Sequence, residues 1–248
     1  MSYTFSDTDA QINDAWFQSH ENRYNIELEN ELMFDLLQPA RGETVLGIGC
    51  GTGARLFRFL EKGLEVTGID NSESMLEYAE KNLGNRVDLH QGNAEDLPFD
   101  DNSFNISLLI NTLEFVDDPL KALEEACRVT KDRVFIGAWN KSAVKDINQY
   151  IKGMMTEEAA KNVRFLGIGL LKKIIFSLVG DIPVQWKTVG HFGGGRTWLG
   201  EMIDNSKFLK KTPLGTFLGM LAVLVPSFRT TPLELKVERT NEAFAGAA

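Results

Sequence analysis

Between residues 10 and 38 apolar side chains recur near helical spacing. Ile26, Leu28, Leu32, Leu36 and Leu37 share a side, Glu27, Glu29 and Glu31 point outward, and Pro39 and Gly42 stop the run. From Thr44 the rhythm changes. Short runs at 44–48, 65–69, 86–90, 104–110 and 133–138 read as strands, and amphipathic stretches at 54–61, 74–81 and 119–129 read as helices between them. The second helix opens with Ser74 and carries Glu77 three residues on, a pattern in which each side chain caps a free N–H near the other. The third opens with Pro119, whose missing N–H costs nothing in a first turn. Strands and helices that alternate in this way call for right-handed crossovers and a parallel sheet covered on both faces.

Beyond Trp139 the rhythm loosens. Apolar residues at 170, 171, 174, 175 and 178, with Lys172 and Lys173 between them, predict an amphipathic helix over 168–179, and Gly180 suits its C-terminal cap. Residues 183–189 alternate like a strand. Residues 217–225 read as another, although their continuous apolar character also fits a buried helix. Two late strands joined by a long excursion can pair antiparallel at a sheet edge. The expected class is therefore α/β: a Rossmann-like, mostly parallel seven-stranded sheet with helices on both faces and an antiparallel edge strand. No linker separates a second unit, so residues 1–248 are expected to form one domain.

Composition narrows the partners. With 248 residues and 43% hydrophobic content, the chain can bury a sizeable core. A net charge of −9 argues against a phosphate-backbone partner, because nucleic-acid binders carry a basic face. Small, neutral or cationic molecules fit better. Cys50 and Cys127 are far apart and in no ligand-like spacing, which predicts neither a disulfide framework nor a metal site, and suits a cytoplasmic protein. The polar, acidic start MSYTFSDTDA is no signal peptide. The longest apolar stretch, 214–226, is broken by Gly215, Thr216 and Gly219 and falls short of the ~20 residues that span a bilayer.

The most informative segment is the loop that carries Gly47, Gly49, Gly51 and Gly53 between a strand and a helix. Glycine permits the tight turn and lets a ligand approach bare backbone. The helix that follows offers free N–H groups to a negatively charged ligand group. Three readings are open at this point: a turn with no ligand, a dinucleotide oxidoreductase, and a different nucleoside site. The oxidoreductase draws on Gly49, Gly51 and Ala54 in G-x-G-x-x-G/A spacing, with Asp70 about 20 residues further on. Against it stand the GCGTG form of the loop, the helical stretch before the first strand, and the short chain after the fifth.

Three runs then resemble a family. LGIGCGTGARL, VTGIDNSESMLEYAEKN and QGNAEDLPFDDNSFN, in that order, are similar to the class I S-adenosylmethionine-dependent methyltransferases, in particular the group that includes the ubiquinone and menaquinone biosynthetic enzymes. The similarity is good over residues 12–139 and weaker through 168–179 and 215–225. It implies S-adenosylmethionine as cofactor and direct displacement onto a small-molecule acceptor. Gly49, Cys50, Gly51, Thr52 and Gly53 are then expected near the methionine end and ribose. Asp70 would accept from both ribose hydroxyls, Asn71 and Met75 would flank the adenine, Asn93 and Ala94 would face its edge, and Asn111 would lie near the sulfonium. Residues 1–40 would form an N-terminal helical lid that closes Trp16 and Tyr24 over the site, and residues 140–215 a cap on the substrate side.

Three positions depart from the family pattern: Gly47 and Asn105 stand where acids are usual, and Asn93 where an aspartate often reads the adenine amine. Loss of the carboxylate at 47 would weaken cofactor binding by ~1–3 kcal/mol if nothing compensates. This keeps a second function open, a cofactor-binding regulator or inactive relative. Glu114 and His191 are the candidate bases, needed only if the nucleophile must lose a proton. His90, Cys50 and Arg196 read more simply as structural or surface residues. The cap region mixes Trp139, Trp186, Trp198, Phe165, Phe176, Phe192 and Phe208 with lysine pairs at 172–173 and 210–211. Ordinary core packing explains it, and an apolar pocket for an aromatic acceptor with loose membrane contact is the sharper alternative. Oligomeric state is not legible.

Overall fold

The computed structural model describes residues 3–190 and 212–224. At its centre β1 (Thr44–Ile48) pairs in parallel with β2 (Glu65–Asp70) on one side and β4 (Phe104–Ile110) on the other. β3 (Asp88–Gln91) extends the sheet past β2, and β5 (Thr130–Trp139) past β4, both in parallel. The last two strands, β6 (Val184–Val189) and β7 (Phe217–Val223), complete seven in the order β3-β2-β1-β4-β5-β7-β6. β7 runs antiparallel to both β5 and β6 and lies between them. Residues 217–223 thus form a strand, not a helix. Both neighbours supply backbone partners, and since its two faces are buried in the cores on either side of the sheet, the strand needs no polar face.

Strand residues alternate between two cores. On one face Leu46, Ile48, Leu109 and Ile136 pack against α5 (Pro119–Val129) and α8 (Ile168–Val179). On the other, Val45, Val66, Ile106 and Phe135 pack against α2 (Arg23–Leu37), α3 (Phe57–Glu61) and α4 (Glu73–Leu83). A third cluster joins Trp16, Phe115 and Trp139 to α6 (Val144–Met154) and α7 (Glu157–Lys161), over the carboxyl ends of the parallel strands. Chain order reverses between β1 and β4, which opens a crevice at that edge.

Local details differ from the sequence expectations for identifiable reasons. The 10–38 stretch divides into α1 (Asp7–Gln18) and α2, because the side-chain amide of Asn22 donates to the Trp16 carbonyl at 3.0 Å and ends α1. α1 itself begins with a reciprocal cap between Ser6 and Asp9. The cap of α4 is Ser72, not Ser74: its hydroxyl accepts from the Met75 N–H at 3.2 Å, while Asp70 accepts from the Ser72 N–H at 3.0 Å and fixes the start two residues earlier. Residues 54–56 belong to the glycine turn, so α3 is short. Gly180 caps α8 as expected, its N–H donating to the Phe176 carbonyl. No helix among the described residues is long and apolar enough to cross a membrane.

Candidate functional site

The loop after β1 folds back on the end of β2. Gly49 and Cys50 both donate N–H groups to the Ile69 carbonyl, at 2.8 and 3.0 Å. Gly49, Gly51 and Gly53 have φ of +66°, +55° and +76°, a region that side chains disfavour. Their surroundings then separate their roles. A Cβ on Gly49 would lie 2.5 Å from Thr112, and one on Gly53 would lie 2.5 Å from Leu83, whereas one on Gly51 would meet nothing closer than Met75 Sδ at 4.0 Å. Gly49 and Gly53 seat the loop on its neighbours. Gly51 leaves bare backbone facing a cavity.

The empty space of that cavity, with the open solvent at its mouth included, is ≈ 910 Å³. Gly49, Cys50, Gly51 and Thr52 line it from the loop, Asp70, Asn71 and Met75 from the end of β2 and α4, and Asn93, Ala94 and Asn111 from the ends of β3 and β4. Gly53, the remaining member of the expected set, turns toward Leu83 and Ala79 instead of the cavity.

Asp70 is buried, with 7% of its surface exposed. Its Oδ2 accepts from the Gly51 N–H at 2.8 Å and its Oδ1 from the Ser72 N–H at 3.0 Å. Burial pushes its pKa above the ordinary aspartate value, and the N–H groups of Ser72, Gly51 and Asn71 offset part of that rise. A carboxylate has about four acceptor sites, so Asp70 keeps capacity to accept from a hydroxyl-bearing ligand. Asn111 adopts φ +53° and anchors its backbone N–H on the Gly137 carbonyl at 2.8 Å.

The N-terminal segment closes the cavity from above. The Tyr3 N–H donates to the Phe115 carbonyl at 3.2 Å, and Ser72 Oγ donates to the Phe5 carbonyl at 2.7 Å. Thr52 Oγ1 donates to Asn13 Oδ1 at 3.1 Å, and Thr156 is held through both its N–H and hydroxyl by Asp9. Tyr3, Phe5, Asn13 and Phe17 consequently line the cavity, none of which the sequence singled out. Trp16 packs beside them, edge-on to Tyr150. Tyr24 does not share this position: it starts α2, which covers the sheet face over β7 and β6.

The departures from the family pattern resolve into separate packing stories. A Cβ at Gly47 would lie 2.6 Å from Leu56, so an apolar side chain fills the space an acid would need. Asn93 spends its amide oxygen on the Glu95 N–H at 3.1 Å. Asn105 lies away from the cavity, where it accepts from Thr44 and donates to Asp132 at 2.8 Å, stapling the starts of β1, β4 and β5.

Of the candidate bases, Glu114 is fully buried and does not line the cavity. Its Oε1 accepts from the Trp139 N–H at 2.8 Å and the Asn111 amide at 3.4 Å, and Oε2 has no partner. Burial raises its pKa to about 7. His191, with Phe192, Arg196, Trp198, Phe208 and the lysine pair at 210–211, lies outside the described residues. His90 packs edge-on against Phe99. Burial, with the Asp70 charge nearby, pushes the Cys50 thiol well above its usual pKa, which keeps it protonated. Of the aromatics in the 140–215 region and at its border, Trp139 lines the cavity. Trp186 sits 5.5 Å under Lys172 Nζ, Phe176 is exposed on α8, and Phe165 packs on the third cluster. Met154 and Met155 complete the apolar wall. No group of three or more metal-ligating side chains occurs among the described residues.

A family model described as a methyltransferase domain matches residues 46–136, from β1 to β5. An uncharacterized protein of Methanocaldococcus jannaschii is 35% identical over 158 residues, 63% of this chain and 68% of that one. A demethylmenaquinone methyltransferase of Clavibacter sepedonicus is 38% identical over 95 residues, 38% of this chain and 39% of its own length, so the chain spans under half of such curated enzymes. The crystal structure of a SAM-dependent methyltransferase of Thermotoga maritima, described as a possible histamine N-methyltransferase, superposes with a TM-score of 0.67 at 26% identity, over 86% of this chain and 94% of that one.

Proposed function

Because this chain belongs to the class I S-adenosylmethionine-dependent methyltransferase family, we propose that it methylates a small molecule by direct displacement in the cavity at the carboxyl ends of β1, β2 and β4. The observation that carries this is the contact between Asp70 and the Gly51 N–H, which brings a buried carboxylate and bare glycine backbone to one cavity wall. These residues fit the cofactor. Asp70 would take the ribose diol, Asn71 and Met75 would flank the adenine, Asn93 and Ala94 would meet its edge, and Gly49 to Thr52 with Asn111 would adjoin the methionine end.

When bound, S-adenosylmethionine supplies a methyl group already activated by its sulfonium. What remains for the protein is alignment and exclusion of water, and alignment alone supplies about 7–11 kcal/mol in well-oriented reactions. Tyr3, Phe5, Phe115 and Trp139 exclude water, and the segment from Tyr3 through α1, with α6 and α7, acts as the lid. The titratable side chains on the described wall are Tyr3, Cys50, Arg55 and Asp70, which do not include an obvious base. This favours an apolar or aromatic acceptor whose nucleophilic atom arrives deprotonated or needs no base. One observation favours a second reading, a cofactor-binding regulator: Leu56 occupies the place of the family's acid at position 47.

Thermal shift with S-adenosylmethionine, S-adenosylhomocysteine and NAD(P) tests the proposal, since a ligand that binds only the native state raises the melting temperature. Stabilisation by the two sulfur nucleosides is expected, and stabilisation by NAD(P) alone contradicts it. Release of S-adenosylhomocysteine with a panel of phenols, quinols, amines and carboxylic acids separates enzyme from regulator.

A further inference from the structure

Two cavity-lining side chains carry a buried N–H without a partner among the described residues: Arg55 at Nε and Trp139 at Nε1. Buried donors nearly always find an acceptor, and those that do not call for a specific cause. Arg55 follows the glycine loop and is the one cation among the described residues of the cavity wall. It is held before any ligand arrives. Nη2 pairs with Glu29, Nη1 donates to Asn30 at 3.2 Å, and Tyr150 donates to the other oxygen of Glu29 at 2.8 Å. Phe17 and Phe217 stand 5.1 and 6.0 Å from the guanidinium carbon.

Its place in the sheet separates it from Asp70. Asp70 ends β2, while Phe217 begins β7 opposite Trp139 of β5. β2 and β7 are four strand steps apart, each about 4.8 Å. The wall thus has a carboxylate on its nucleoside side and a preset guanidinium on its β5–β7 side. Charge balance with Glu29 accounts for the Nη2 contact and leaves the Nε–H unexplained. With one Nη2 N–H given to Glu29, the Nε–H is the unpaired donor of the guanidinium, and a guanidinium N–H binds a carboxylate in a charge-assisted hydrogen bond.

We propose that Arg55 is the carboxylate receptor of this cavity, an inference that rests on the methyltransferase reading. The carboxylate belongs either to the methionyl end of the cofactor or to the acceptor. Calorimetry distinguishes these with S-adenosylhomocysteine and 5′-methylthioadenosine, which lacks the amino-acid end, and with benzoate against benzyl alcohol on the S-adenosylhomocysteine-loaded protein. Arg55→Lys keeps the charge facing Glu29 and removes the fork, and the double variant Glu29→Gln, Arg55→Met removes the pair together should the single variant fold poorly.

A cofactor carboxylate predicts that both variants weaken S-adenosylhomocysteine about tenfold or more and leave 5′-methylthioadenosine within about twofold. An acceptor carboxylate predicts unchanged nucleoside binding and loss of a wild-type preference for benzoate over benzyl alcohol. Equal loss of both nucleosides, or no change in any arm, overturns the proposal and makes Arg55 a packing residue. Wild-type protein that bound neither nucleoside would overturn the methyltransferase reading itself, and this inference with it.

Discussion

The Gly51 N–H donates to Asp70 Oδ2 at 2.8 Å, so the residue that shapes the glycine loop also presents the carboxylate to the cavity. Replacing it therefore has two effects that must be separated. Asp70→Asn keeps the size and one acceptor oxygen but loses the charge. S-adenosylhomocysteine affinity should fall more than tenfold, with a stability loss of about 1–3 kcal/mol from the weakened Gly51 and Ser72 contacts. Calorimetry and a denaturant melt read the two separately, and full affinity in a folded variant would remove Asp70 from the site.

The glycines of the loop should divide by function. Gly53→Ala places a methyl 2.5 Å from Leu83 at a positive φ and should destabilise the fold by about 1–3 kcal/mol, with little effect on affinity once folded. Gly51→Ala has room in the protein but projects its methyl beside Met75 in the cavity. Its melting temperature should drop less and its nucleoside affinity more. The reverse ranking would mean that the loop presents a different edge to the ligand.

Restoring the acid at position 47 should fail alone. Gly47→Asp drives a side chain into Leu56, 2.6 Å from the added Cβ, and should lower stability without tightening cofactor binding. Pairing it with Leu56→Ala relieves the clash. The double variant is expected to bind S-adenosylhomocysteine more tightly than Leu56→Ala by itself, and equal affinities would show that the acid has no role in this chain.

Glu114 makes stability depend on pH. Its carboxyl has a folded pKa of about 7 against 4.5 when exposed, so the folded state holds a proton that the unfolded state releases between those values. The native state therefore has its full advantage below pH 4.5 and loses it as pH rises to 7, by on the order of 3 kcal/mol. Glu114→Gln keeps an oxygen for the Trp139 N–H and removes the titration. The wild type should lose stability relative to this variant from pH 4.5 to 7 and run parallel above it, and parallel curves throughout would contradict the burial argument.

The parts of the site that were legible in the sequence are those where chemistry fixes residue type over short separations. Gly49, Gly51 and Asp70 lie within one strand–turn–helix–strand unit, where tight backbone and a diol acceptor permit few alternatives. The parallel character of the sheet followed from alternation, since parallel pairing demands crossovers. The Tyr3–Phe5 segment, the Asn13–Thr52 contact and the Glu29–Arg55–Tyr150 network were not legible. Tyr150 and Glu29 are 121 residues apart and meet only through tertiary packing, which leaves no periodic trace. Glu114 shows the same limit: its place after β4 suggested a base, and the β5 backbone that captures it could not be read locally. Ser74 with Glu77 reads as a cap from the sequence alone, whereas the bond that fixes the helix start comes from Asp70, outside the helix.

The most direct test is a crystal structure of the protein with S-adenosylhomocysteine. The account predicts both ribose hydroxyls within hydrogen-bond distance of Asp70, with the ligand backbone passing over Gly51. A nucleoside bound elsewhere, or bound here with its ribose turned away from Asp70, would contradict it.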